Sequence, residues 1–560
     1  MKHLSGMDAS FLHLESPEMP MHTGGLAVLE LPSGYEGDYW EDVKAHIGSR
    51  MHLAPVFTRK LALMPFELAN PVWVEDDDVD LDYHVRRVLL PRPGTRVQLE
   101  AYVARLHSSL LDRSRPLWEF YVIEGLESGQ AAFYIKAHHA AMDGAAGAVM
   151  ADAILDTSEE PRAVRPAPPH RATTGYQLGM AELAGAAVKN GVEQYLKLLK
   201  LLPTMAKVAM SIKPPQPNEG TAGSGPLAAL GQALGITVGP RTPFNVAITN
   251  QRAFAGISLP LGEVKAVAKQ LGATINDVVM TMCSSALRRY LEERQSLPAQ
   301  QLIASVPVSL REAGNTEMNN QGTMMTIGLA THLAEPLARL KAIHDASVKA
   351  KAHTSNVKAA IPSDFPSFGA PWLISGLASM YGRSKLADSL PPMTNVVISN
   401  VPGAQTPLYL ARARMVTNYP LSIPAHGMAL NLTVQSYNGA LDFGITACRR
   451  AVPDVGEFKG LLRDALTELQ VAAKALTPAA AVPKTAHGTV EDTSPVASGA
   501  RVAELAAPGT SVAVSDKAAA SKPAARKSTA RKSPPSKSPP RKLPPPKSAS
   551  RKRPALKAVR

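Results

Sequence analysis

The chain is poor in cysteine and in long apolar runs, and each shortage removes a class of explanation. Only Cys283 and Cys448 occur in 560 residues. They lie far apart and without metal-ligand spacing, so neither a disulfide-stapled domain nor a zinc module fits. Two reduced, buried thiols in a cytosolic protein are the expectation. No run of about 18 apolar residues occurs, so no segment is expected to span a membrane. The opening Met1-Lys2-His3-Leu4-Ser5-Gly6-Met7-Asp8 has no apolar core of signal-peptide length. Gly-x-Ser-x-Gly is absent, which removes a serine-nucleophile elbow. Acidic residues are absent from Lys517–Arg560, where 15 Lys or Arg occur. The whole chain carries +13, so its first 516 residues carry −2, and the pI near 9.5 belongs to its end. That pI is therefore no argument for a nucleic-acid-binding body.

What is present is enough chain for two or more cores. Strand and helix patterns alternate, which argues for an α/β layer structure. Residues 25–31, 118–123 and 130–136 read as strands; 39–50, 99–111 and 145–155 have helical spacing. A long Ala- and Leu-rich helix is expected over 179–211, either packed on the body or lying on a membrane surface with its lysines flanking an apolar face. Residues 213–244, rich in Gly, Pro and Ala, suit a crossover linker. A second half then runs over 245–474. Within it Thr274 is placed as the N-cap of a helix reaching about Glu293. Strands are expected at 303–308 and 395–400, and Asn438-Gly439 marks a hairpin between 429–436 and 441–447. Tyr409-Leu410 and Met415-Val416 read as an irregular stretch. Beyond 475 the Ala/Pro/Ser/Lys composition cannot offset chain entropy, so 475–560 is expected to be disordered.

The chemistry concentrates in Lys136-Ala137-His138-His139-Ala140-Ala141-Met142-Asp143-Gly144, where a strand turns into a helix. Neighbouring side chains of an extended chain point to opposite faces, so only one histidine can face a given cleft. A neutral imidazole can take a proton from an alcohol, help worth roughly 10² to 10⁴ in rate. An aspartate four residues on can accept an imidazole N–H or pin the loop through an ion pair. Gly144 permits a close backbone approach. Metal binding lacks further ligands. An adjacent histidine pair can also be purely structural, so the motif alone leaves both readings open.

Its companions narrow them. The chain resembles the bacterial wax ester synthase/acyl-CoA:diacylglycerol acyltransferase family, within the chloramphenicol-acetyltransferase-like superfamily. The resemblance rests on Met7-Asp8-Ala9-Ser10-Phe11-Leu12-His13-Leu14-Glu15, Pro116-Leu117-Trp118, the His138–Gly144 motif, Asn276-Asp277, Asn395–Gly403 and Ala429–Gly439, in family order over about residues 4–470. It implies two α/β sandwich domains with mixed sheets and an active-site tunnel between them. It also implies direct acyl transfer from a long-chain acyl-CoA, a substrate rather than a cofactor, to diacylglycerol or a fatty alcohol. By carry-over His139 is the general base, while His138 and Asp143 support it. Asp143 matches a residue usually paired with an arginine, and Arg311 is the candidate partner. Pro116, Leu117 and Trp118 form either a rigid turn with a core tryptophan or a substrate contact. Asn276 and Asp277 either reach the reaction centre or cap their helix, and Asn276 and Ser309 are candidate oxyanion donors. No metal or cofactor is implied.

Lipid substrates imply peripheral contact with the inner face of a membrane or with lipid droplets, from the cytoplasm. The basic tail is a candidate for anionic lipid or nucleic acid. Competing readings are a condensation-type acyltransferase using carrier-bound thioesters and a lipid- or nucleic-acid-binding protein without activity. Asp388-Ser389-Leu390, the one carrier-like tripeptide, runs into Pro391-Pro392, where a carrier would continue its helix.

Overall fold

Two six-stranded mixed sheets carry the molecule. The structure, a computed structural model, describes residues 2–62, 70–142, 144–167, 238–309, 322–358, 386–388 and 391–476. The helix expected over 179–211, most of the 213–244 crossover, Ser389-Leu390 and the tail beyond 476 lie outside them. All described residues belong to one unit, Met1–Val482. Its strands are β1 (Lys2–His3), β2 (His22–Glu30), β3 (Arg59–Ala62), β4 (Val72–Glu75), β5 (Val85–Leu89), β6 (Trp118–Glu124), β7 (Ala131–His138), β8 (Arg252–Pro260), β9 (Ile303–Ser309), β10 (Gly322–Gly328), β11 (Val396–Val401), β12 (Tyr409–Leu410), β13 (Ala413–Leu421), β14 (Leu430–Tyr437) and β15 (Ala440–Cys448).

The first sheet runs β12-β13-β2-β7-β6-β5 and the second β10-β9-β11-β14-β15-β8; β1, β4 and β3 form a small third sheet. Parallel pairing of β5 with β6, and of β11 with both β9 and β14, makes both large sheets mixed. One face of the first sheet buries Phe120, Val122 and Phe133 against helices Tyr39–Gly48 and Gly144–Ile154. Its other face buries Tyr121, Tyr134 and Leu26 against Leu99 and Val103 of helix Arg96–Leu106, and against Phe254 and Tyr419. The second sheet is covered by helices Leu261–Gln270, Ile275–Glu293, Pro336–Lys358 and Phe458–Leu476, around Leu432, Phe443 and Ile445. The expected α/β class holds, and so do most expected elements within a few residues.

One expectation needs correction. Tyr409-Leu410 and Met415-Val416, read as an irregular stretch, lie in β12 and β13; β12 pairs with β13, and β13 with β2, in the first sheet. The second half, 245–474, therefore does not keep to its own sheet.

Candidate active site

Strand β7 ends at His138, and helix Gly144–Ile154 begins six residues later, so the histidine pair sits at the junction expected. Backbone bonds hold the turn. The His138 N–H donates to Leu117 O at 2.9 Å, the His139 N–H to Met21 O at 2.9 Å, and the Ala141 N–H to His138 O at 2.9 Å. The two imidazoles then part company.

His138 is fully buried. Its Nδ1 lies 3.1 Å from the Ala140 nitrogen, whose backbone N–H can only donate, so Nδ1 is the acceptor. The ring proton of the neutral form therefore sits on Nε2, which faces Glu15 Oε1 at 3.2 Å. Glu15 is a hub. It accepts the Met21 N–H at 3.0 Å and takes Arg113 through Nε and NH2 at 3.1 and 2.7 Å. Burial by itself would raise the Glu15 carboxyl, but His138, Arg113 and the Met21 N–H together outweigh it and hold the group at about 2. Both nitrogens of His138 are thus committed to holding the turn.

His139 is only half-buried, and its ring lies parallel to that of Phe11, with centroids 4.1 Å apart and planes 10° apart. Phe11 in turn touches residues from both halves of the chain. Phe11 packs with Leu4, Leu12, Leu117 and Ala140 on one side, and with Met19, Met21, Ile248 and Cys448 on the other. Asp143 lies outside the described residues, as does Arg311, so the structure says nothing of that pair. Gly144 opens the helix after the motif.

The remaining candidates divide. Pro116, Leu117 and Trp118 are all buried. Leu117 supplies the carbonyl that holds His138. Trp118 packs against Phe57 and stacks on His84 at 4.3 Å, with its indole N–H donating to Phe57 O at 3.1 Å. Leu117 and Trp118 expose no surface, and the tryptophan is part of the core. Asp277 caps helix Ile275–Glu293. It completes a capping box with Thr274, and its Oδ2 also lies 2.9 Å from His344 Nδ1. Asn276 is half-buried, and its Oδ1 accepts from Asn400 Nδ2 at 3.3 Å, so the Asn276-Asp277 and Asn395–Gly403 motifs meet there. Ser309 ends β9 opposite Gly322. Cys283 and Cys448 are both buried free thiols. Among the described residues no group of three or more His, Cys, Asp or Glu could hold a metal ion.

The sequence alone gives no role to Glu15, Arg113 or Phe11, although residues 7–15 carry part of the family resemblance. Phe11 and Glu15 are four apart, the spacing that puts two side chains over one side of a helix and its end. The sequence also leaves unmarked a buried network beside the pair. His22, the cross-strand partner of His138, has Nε2 2.8 Å from His107 O. His107 donates from Nε2 to Ser422 O at 3.0 Å and accepts the Tyr134 hydroxyl at Nδ1 at 2.8 Å. Burial, above all, pushes His22 far below the usual imidazole range and His107 down to about 3, so both are neutral groups joining β2 to the end of helix Arg96–Leu106 and that end to Ser422.

Comparison with known proteins gives the same outline. The family model of the wax ester synthase/diacylglycerol acyltransferase catalytic domain matches residues 4–279, and that of the WS/DGAT C-terminal domain matches 318–470. A Mycobacterium tuberculosis protein provisionally named a diacylglycerol O-acyltransferase is 38% identical over 473 residues, covering 83% of this chain and 99% of the relative. A Mycobacterium bovis protein with the same provisional name is 36% identical over 474 residues, covering 83% and 98%. Among solved structures, the wax ester synthase/diacylglycerol acyltransferase from Marinobacter aquaeolei VT8 is 32% identical, covers 84% of this chain and 100% of its own, and superposes with a TM-score of 0.59. With both halves matched in order and the histidine turn inside the first match, the chain belongs to the wax ester synthase/diacylglycerol acyltransferase family.

Proposed function

We propose that His139 is the general base of a direct acyl transfer from long-chain acyl-CoA to the hydroxyl of diacylglycerol or of a long-chain alcohol. As a member of the family the chain is an acyl-CoA-dependent acyltransferase; the base and the acceptor are our reading. The observation that carries it is the unequal fate of the two imidazoles. His138 is fully buried, with Nδ1 on the Ala140 N–H and Nε2 facing Glu15, whereas His139 is half-buried and stacked on Phe11, which packs against residues from both halves of the chain.

In the reaction, His139 takes the hydroxyl proton as the oxygen attacks the thioester carbonyl. The tetrahedral intermediate collapses with loss of the CoA thiolate, and the imidazolium returns its proton to that sulfur. The products are one ester and one CoA thiol, with no acyl-enzyme. An apolar setting strengthens each electrostatic contact and keeps water from the thioester. Because both lipid substrates partition into membranes, we place the enzyme peripherally at a membrane or lipid-droplet surface. The substrates' chemistry supports that, and so does the basic run over 517–560.

Purified protein should convert labelled palmitoyl-CoA and either dioleoylglycerol or hexadecanol to labelled ester. In His139→Ala kcat should drop by about 10² to 10⁴. Undiminished turnover in that variant would refute the assignment of the base.

A further inference from the structure

We infer that Phe11 is a positioning residue for the base: its ring face holds the imidazole of His139 and favours the imidazolium formed as the hydroxyl proton is taken. The inference rests on His139 acting as base and adds a second group to that chemistry.

Phe11 sits on helix Gly6–Leu14, whose start is fixed independently of the site. Ser5 caps the helix by accepting the Asp8 N–H at 3.1 Å, and its hydroxyl donates to Asp8 Oδ2 at 2.7 Å. Ala9 and Leu12 anchor the helix in the core with Leu4, Leu61 and Leu117. Phe11 itself is only half-buried and adds to that packing from the edge of the cluster. Its ring is spent on His139, face to face at 4.1 Å and 10°.

That geometry has a charge preference. Two neutral rings stacked in parallel attract weakly, because their negative faces oppose each other. A cation within about 6 Å of an aromatic centroid is drawn to the same face. The stack is therefore stronger once His139 carries the proton, and an interaction that strengthens toward the transition state raises kcat rather than lowering KM. The ring also covers one face of the imidazole, so the base cannot turn about its Cβ–Cγ bond without losing the contact.

Fluorination tests this without changing size appreciably. Phenylalanine, 4-fluoro-, 3,5-difluoro- and 3,4,5-trifluorophenylalanine are placed at position 11 of the full chain, and each variant is assayed with palmitoyl-CoA and hexadecanol. Each fluorine withdraws charge from the ring face. The expected result is a stepwise fall in kcat, about tenfold across the series, with KM for both substrates changing less than about twofold. The urea midpoint should stay constant. A flat kcat overturns the inference, and so does a fall in kcat that merely tracks lost stability. If the series is flat while His139→Ala is inactive, Phe11 alone is misassigned. If His139→Ala keeps its activity, the base assignment falls and takes this inference with it.

Discussion

A single carboxylate does much of the holding at the histidine turn. Glu15 joins His138, Arg113 and the Met21 N–H, and Met21 in turn supplies the carbonyl that fixes His139. Replacing it with glutamine keeps an acceptor for the Met21 N–H. It removes the charge facing Arg113, and it can turn an amide N–H toward the Nε2–H of His138. We expect Glu15→Gln to lower kcat roughly 10- to 100-fold through a misplaced turn. The same residue makes a pH prediction. Its folded carboxyl stands at about 2, below the ordinary value of 4.5, so its contribution is present above the unfolded value and is lost as pH falls toward the folded one. The wild type should therefore lose about 3 kcal/mol of stability between pH 5 and pH 2 from this group. Glu15→Gln, followed by urea unfolding over that range, should lack this component. Equal acid slopes in the two proteins would show that Glu15 is not held low.

At the scale of elements, two hairpins show what can be read from residues alone. Asn438-Gly439 links β14 to β15 with φ of 42° and 83°, and its dipeptide announces a turn of that kind. The turn between β12 and β13 has the same left-handed pair, φ 43° and 74°, but builds it from Ala411-Arg412. No glycine or asparagine marks it, and a bulge between Met415 and Thr417 breaks the alternation that would have revealed the following strand. That is why Tyr409-Leu410 and Met415-Val416 read as an irregular stretch. The helix start at Thr274 and the strands around the histidine pair were legible because cap chemistry and alternation are local signals. Glu15 and Phe11 were not, because Arg113, His138 and His139 lie 98 or more residues away in the chain. The unmarked turn leads to a prediction. Arg412 is exposed and in a conformation that costs a non-glycine residue about 1 kcal/mol or more. Arg412→Gly should raise stability by about 1 kcal/mol in urea unfolding. A destabilised variant would mean that the side chain carries more than the strain removes.

At the scale of the whole molecule, the two sheets touch where β13 crosses β15 and β8, and the contact is built from two cross-strand pairs of β15 and β8. Asp442 faces Ser258, and two residues along Gly444 faces Gly256. Asp442 is fully buried; it accepts the Ser258 hydroxyl at 2.5 Å and, from the first sheet, the Asn418 N–H at 2.7 Å. Beside that polar stitch the glycine pair leaves room for Tyr419 and Pro420. A Cβ on Gly256 would meet the Tyr419 ring at 2.7 Å, whereas one on Gly444 would overlap the Pro420 carbonyl itself. A ring can swing aside, but a carbonyl in a paired strand cannot move without shifting β13, and with it β2 and the Met21 carbonyl that holds His139. Gly444→Ala should therefore cost about 3 kcal/mol or more and lower kcat as well, while Gly256→Ala should cost about 1 to 2 kcal/mol with activity largely kept. Urea unfolding and the palmitoyl-CoA assay on both variants would check this. Equal losses would mean that the sheets adjust to each other freely, and that the site does not depend on how closely they approach.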